Sequence, residues 1–401
     1  MMLKPRHAAL TAVLLLPLAT SVDAAGAGTE PHALVRELRA SHDRIALGDH
    51  AAFAGLRERI AEIGAALLDA ELRVWKEPRN SRALLLYVLS GGDPKVLRTL
   101  LSRGPLAGVD EAMTRGVLAY AEGRQDDAEE GLGSVDALKL ETSLAGHVAL
   151  IQAVLSARGD PKRAEQHLDA ARLLAPGTLV EEAALRRQVF LAAGQQDFHR
   201  FAALAVQYLR RFPQSVYADS FRAQFAIEVA RLASAEEPMR RSLLEARLAV
   251  LPDHERRALY LSIGREAVLG GKLGLTGLAM ENAGRLVEET GPDRNRIKLY
   301  SAAALVPSEE FEKGRALLAM VAGDVLNDQD RGLLEAALSV ASQLRRPTAV
   351  REPVTEPPPP PQPKVLQANR SQPRVFASSR ALDRAQKTVS EVDQLLAGAS
   401  R

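Results

Sequence analysis

The 401-residue chain contains no cysteine. That excludes a disulfide framework, a thiolate metal site, a cysteine nucleophile and a lipidated cysteine anchor. Aromatic residues make up only 4%, too few for base stacking or most sugar platforms. An excess of charge of one sign is also missing. Fifty-two Lys and Arg stand against 50 Asp and Glu, a formal net charge of +2, without the basic footprint of a nucleic-acid binder. Beyond the first 24 residues, no apolar run reaches the roughly 20 residues needed to cross a bilayer. What remains is 46% hydrophobic and dominated by Ala, Leu, Arg and Glu, which are good helix formers.

Residues 1–24 have the organisation of an export leader. Lys4 and Arg6 begin it, an apolar stretch from Ala8 to Val22 follows, and Val22-Asp23-Ala24 supplies small residues at the positions a signal peptidase reads. The apolar stretch is short for a membrane anchor, and Pro17 interrupts it. Residues 1–24 are therefore read as a cleaved signal peptide. The mature chain would begin at Ala25 and reside in the periplasm without inserting in the membrane.

From Glu30 onward one helical pattern follows another. Leu34, Leu38, Ile45 and Leu47 roughly follow helical spacing, Gly48-Asp49 stops the helix, and Phe53, Leu56, Ile60, Ile63 and Leu67 continue the pattern. Such an elbow works because Gly can adopt the left-handed conformation after a helix while Asp caps the next one. Similar elbows recur at Gly91-Gly92-Asp93-Pro94, at Gly123, at Gly159-Asp160-Pro161, at Gly194 and at Gly270-Gly271. Gly123 and Gly159 are 36 residues apart, and Gly159 and Gly194 are 35 apart, close to the period of about 34 in tetratricopeptide repeats (TPR). Ala128, Ala164, Ala171 and Pro176 occupy offsets where that repeat carries Ala and Pro, whereas bulky Phe201 occupies a small-residue position. The region 70–115 fits least well, because Trp75-Lys76-Glu77-Pro78 interrupts it.

The sequence thus predicts an all-α fold: a degenerate TPR-like helical-hairpin solenoid over residues 30–345, divided into five to seven pairs. Each pair would bury its apolar face on its neighbours, leaving an extended concave surface. Nine of the 22 prolines lie between Pro347 and Pro373, so residues 346–375 are read as an extended Pro-rich linker. A terminal amphipathic helix follows at 378–398, with Leu382, Val389, Val392 and Leu396 on its apolar stripe. It would either cap the array or engage another molecule.

Catalytic patterns are scarce. There is no HExxH, no GxSxG, no P-loop and no GxGxxG, and no histidine pair has the spacing of a zinc-binding helix. His50 and His167 are read as surface or packing residues. Glu129-Glu130, Glu181-Glu182 and Glu309-Glu310 are read as solvated helix faces, as are Arg186-Arg187, Arg240-Arg241 and Arg256-Arg257. No catalytic residue, metal site or cofactor is assigned, and no small-molecule substrate is expected. The strongest binding candidates cluster around Pro213, where Arg210, Arg211, Phe212 and Tyr217 combine residue types enriched at interface anchors. The alternative for Phe212 and Tyr217 is packing between helices.

Several stretches together carry a resemblance: EPHALVRELRASHDRIALGDHAAF (30–53), VWKEPRNSRALLLYVLSGGDP (74–94), LAGHVALIQAVL (144–155), ARLLAPGTLVEEAALRR (171–187) and RFPQSVYADSFR (211–222). The sequence resembles the MotC-type periplasmic motility proteins of rhizobia and related alphaproteobacteria. The resemblance implies a non-enzymatic, exported protein that binds the periplasmic part of the stator protein MotB and supports flagellar rotation. It supplies no binding residues to transfer. Two alternatives stand beside it: a periplasmic TPR-like adaptor in cell-envelope or peptidoglycan assembly, and a solenoid hydrolase acting on the cell wall. The hydrolase would need an appended catalytic domain, for which no compact segment remains.

Overall fold

The computed structural model describes residues 30–232, 238–287 and 291–344. Leader 1–24, linker 346–375 and the terminal helix 378–398 lie outside the described residues. Within them the chain is all helical, with no strand. In order the helices are α1 (Pro31–Ala46), α2 (His50–Ala54), α3 (Leu56–Asp69), α4 (Pro78–Leu89), α5 (Pro94–Arg103), α6 (Glu111–Ala121), α7 (Gln125–Leu132), α8 (Thr142–Ser156) and α9 (Pro161–Leu174). They continue as α10 (Leu179–Gly194), α11 (Phe198–Arg211), α12 (Ala218–Leu232), α13 (Pro238–Leu248), α14 (Asp253–Leu269), α15 (Leu273–Gly284), α16 (Pro292–Leu305), α17 (Phe311–Ala319) and α18 (Asp328–Leu344).

Local chemistry explains the boundaries. Proline opens α1, α4, α5, α9 and α16, where its missing N–H leaves no bond unmade. At four elbows an aspartate accepts a backbone N–H of the following first turn: Asp49 from Ala52, Asp93 from Lys95, Asp160 from Arg163 and Asp197 from Arg200. Gly48, Gly91, Gly123 and Gly271 take positive φ as the elbow reading requires. The Gly159 and Gly194 elbows differ, and Gly159 takes no positive φ. Gly194 ends α10, and Gln196, with φ of 60°, makes the left-handed step instead.

Consecutive helices close as pairs: α1 with α3, α4 with α5, α6 with α7, α8 with α9, α10 with α11, α14 with α15, and α16 with α17. The 70–115 region is the least regular of the array, as its sequence suggests. Trp75 sits buried on a 3-10 turn, α4 packs chiefly on α1, and α5 touches α3 as much as α4. Ala128, Ala164 and Ala171 are fully buried, so the small residues do fall where helices approach. Phe201 is equally buried and stacks on Phe225 at 5.2 Å between centroids. The fifth pair therefore accommodates an aromatic layer where its neighbours use alanine. This arrangement of pairs is consistent with a TPR-like array.

Helices two apart in the chain also contact one another, as α4 with α6, α10 with α12, α12 with α14, and α14 with α16. The amino-terminal half departs from simple stacking. Helix α1 packs on α4 and also reaches α10, four pairs further along the chain. Ile45 and Ala46 at its end belong to the hydrophobic core built by α10–α18, whereas Val35 and Leu38 at its start belong to the core of α3–α8. The Val216 N–H reaches the Ile45 carbonyl at 3.4 Å, and Phe53 meets the Tyr217 ring edge-on at 6.0 Å. In this half, α1 closes over first helices that an open superhelix would leave as a concave surface.

Candidate functional site

The segment around Pro213 divides into an inner and an outer set. Phe212 and Tyr217 are 2% and 5% exposed, so both rings pack between helices. Beneath them lies a polar network in the core. The Tyr208 hydroxyl donates to Glu182 at 2.6 Å, and Arg186 pairs with the same carboxylate at 3.2 Å. The Arg186 guanidinium also stands 4.7 Å over the Tyr217 ring. Burial and the neighbouring Glu182 charge push the Tyr208 pKa far up, keeping this phenol a neutral donor.

This corrects the reading of two charged runs. Glu181 and Glu182 are buried and Arg186 is nearly so, although their sequence looked like a solvated face. The reason is tertiary. Helix α10 is covered by α1 on one side and by neighbouring pairs on others, so little of its circumference remains in water. Glu129-Glu130 and Glu309-Glu310 are indeed exposed, His50 is exposed and His167 half-buried.

Arg210 and Arg211 form the outer set and are exposed. Arg211 pairs with Glu181 at 3.0 Å, which in turn accepts the Gly177 N–H. Arg210 and Arg211 line an open groove between α11 and α13, of about 480 Å³, with Gln207, Arg247 and Val250. The Arg210, Arg211, Phe212 and Tyr217 group is thus not one surface. Two of its members present charge to solvent, and two hold the layer below. Leu382, Val389, Val392 and Leu396 lie outside the described residues.

A second site is partly enclosed. Between α1, α8 and α10 lies a cavity of about 90 Å³, lined among others by Arg39, His42, Asp43, His147 and Arg186, with Ser90 from the end of α4. His42 is 6% exposed, and burial lowers its pKa to about 4. Burial lowers His147 to about 3, assisted by the charge of Arg39. Both imidazoles are therefore neutral at ordinary pH. Burial raises the Asp43 pKa, opposed by the Leu179 N–H and by Arg39. His42 and His147 are 105 residues apart, so no spacing motif could have joined them; only the folding of α1 over α8 and α10 does so.

Among the described residues no group of three or more His, Cys, Asp or Glu is placed to hold a metal ion. No helix among them is long and apolar enough to cross a membrane. Among the described residues the fold therefore defines an all-helical protein built from successive hairpins, with a charged surface groove and a partly enclosed cavity.

Comparison with known proteins makes the class specific. The chain matches the family described as chemotaxis protein MotC over residues 1–401. The chemotaxis protein MotC of Rhizobium meliloti (strain 1021) is 32% identical over 353 residues, spanning 86% of this chain and 80% of that protein. The chain belongs to the MotC family, a family of motility- and chemotaxis-related proteins. No solved structure matches it.

Proposed function

We propose that this protein is a non-enzymatic periplasmic scaffold required for flagellar motor rotation, and that it acts by binding the periplasmic part of the stator protein MotB. Membership of the MotC family is the observation that carries this reading. The leader-like composition of residues 1–24 supports export. An array of helical pairs suits protein binding because stacked pairs present long continuous surfaces.

The binding surface is assigned to the outer rim of the array. Helix α1 already covers first helices in the amino-terminal half, so a partner there would have to displace a helix whose Leu38 and Ile45 are fully buried. The groove between α11 and α13, with Arg210 and Arg211, remains accessible. Phe212 and Tyr217 belong to the core of the same segment, and the stripe of Leu382, Val389, Val392 and Leu396 adds a second contact.

Gene deletion tests the reading. Cells should carry normal filaments that fail to rotate, and binding of the purified protein to the periplasmic part of MotB should be measurable by interferometry. Full swimming combined with an envelope defect would overturn it in favour of an envelope-assembly adaptor. Arg210→Glu should weaken the interaction about tenfold and increase its salt sensitivity, as reversal of an accessible interface charge does.

A further inference from the structure

The groove between α11 and α13 brings three arginines and aliphatic surface together. Helix α11 contributes Val206 and Arg210, four residues apart and so on one face, with Arg211 beside them. Helix α13 contributes Ala246 and Arg247, and Val250 follows just beyond it. The two helices run side by side. Arg240 near the start of α13 stands 5.8 Å over the Phe198 ring at the start of α11, and their last turns border the groove. From Ala203 to Arg211 the α11 wall is about 12 Å long at 1.5 Å per residue, which matches three to four residues of extended chain at about 3.3 Å each. The volume of about 480 Å³ is that of a ligand site, about 300–1,000 Å³.

Of the three arginines only Arg211 is answered by a carboxylate, Glu181 at 3.0 Å. Arg247 donates from Nη2 to His199 Nε2 at 3.2 Å. A ring nitrogen that accepts carries no proton, so this contact supplies no counter-charge. The Arg247 Nε is buried without a hydrogen-bond partner. Arg210 is exposed and makes no ion pair among the described residues, and no described carboxylate lines the groove. The last turns of α11 and α13 oppose this with about half a negative charge each, weakened by water at an exposed surface, so the groove stays positive. Its aliphatic part selects further. Val206 is buried, whereas Ala246 is exposed and Val250 is 58% exposed. A bare inorganic anion would leave Val250 in water, and an apolar side chain would cover it. We propose that the groove between α11 and α13 binds a short acidic peptide segment of a partner protein. Its carboxylates accept hydrogen bonds from Arg210 and Arg247, and an apolar side chain beside them covers Ala246 and Val250. This rests on the assignment of the groove as the partner-binding surface, and adds the chemistry of the segment that enters it.

Fluorescence anisotropy with the purified full chain and the labelled peptide GELEEL tests this, against the uncharged GQLQQL and the apolar-deficient GESEES. Saturable binding of GELEEL is expected, weakening as salt rises from about 0.05 to 0.5 M because exposed charges are screened. GQLQQL and GESEES should each bind about tenfold more weakly. Arg210→Gln and Arg247→Gln should each cost about tenfold, the effect of one hydrogen bond to a charged group, with melting temperatures close to wild type. Arg210→Glu combined with Arg247→Glu should prefer GKLKKL to GELEEL, an exchange that a purely structural arginine would not produce. No saturable binding of GELEEL, binding unchanged in both glutamine variants, or equal binding of GESEES would overturn the proposal. Self-association in sedimentation that Arg247→Gln abolishes would assign the groove to a second copy and overturn it too. Binding of the periplasmic part of MotB that both glutamine variants leave intact, with GELEEL unbound, overturns this proposal alone. Binding of GELEEL without binding of MotB supports it and overturns only the functional reading.

Discussion

Single buried charges hold this array together at points where helices of different pairs meet. Asp330 on α18 accepts the Tyr300 hydroxyl at 2.6 Å, and it pairs with Arg296 at 3.2 Å and Arg265 at 3.7 Å. One carboxylate therefore ties α14, α16 and α18. Asp330→Ala would leave these donors facing a void, and removal of one member of a buried pair costs about 3–5 kcal/mol. Urea denaturation should show that loss as a lower midpoint. His42 gives a second prediction at this scale. Its folded pKa of about 4 lies below its ordinary 6.5, so the unfolded chain binds the proton more readily and stability rises with pH. The full contribution is present above pH 6.5 and is lost as pH falls towards 4, where His42 alone removes about 3 kcal/mol. His42→Leu should flatten the slope between pH 6.5 and 5, measured as urea midpoints. An unchanged slope would show that His42 is already accessible to protons in the folded protein.

At the scale of elements, the elbows were largely legible. Glycine followed by aspartate marks a helix stop and a cap, and both roles depend on a few adjacent atoms. Gly48 is the instructive case. It has φ of 100°, and a Cβ there would press into the Gln214 carbonyl oxygen. The first requirement is local and could be anticipated; the second comes from a segment 166 residues away. Gly48→Ala should therefore destabilise by more than the roughly 1 kcal/mol of a left-handed non-glycine residue alone, and thermal melting checks it. Ile45→Ala should cost about 2–5 kcal/mol as a fully buried large-to-small change. Hydrogen exchange should then accelerate in α1 and in the 212–217 segment together, because Ile45 joins them. The exception at Gln196 has a local reason too: with Gly194 used as the last residue of α10, the turn falls two positions beyond the glycine.

For the whole molecule, residues 30–344 contain the described cores, and Ala341 near the end of α18 is still part of one. Truncation after Arg345 should leave the melting temperature within a few degrees while weakening partner binding. A large fall in melting temperature would instead identify the terminal segment as a cap.

The sequence by itself determined that the chain is all helical, where its pairs turn, and which family it resembles, since helix propensity, capping and turn chemistry act over a few residues. Only the tertiary structure decided that α1 folds back to reach α10. Packing of α1, α11 and neighbouring helices around α10 buries Glu182 and Arg186, which adjacent charges suggested were solvated, and tertiary packing leaves Arg210 and Arg211 exposed while it covers Phe212 and Tyr217. It also creates the cavity that joins His42, Ser90 and His147. The physical reason is that burial belongs to all the surfaces packed around a residue, and the surface covering α10 is supplied by a helix about 140 residues earlier in the chain.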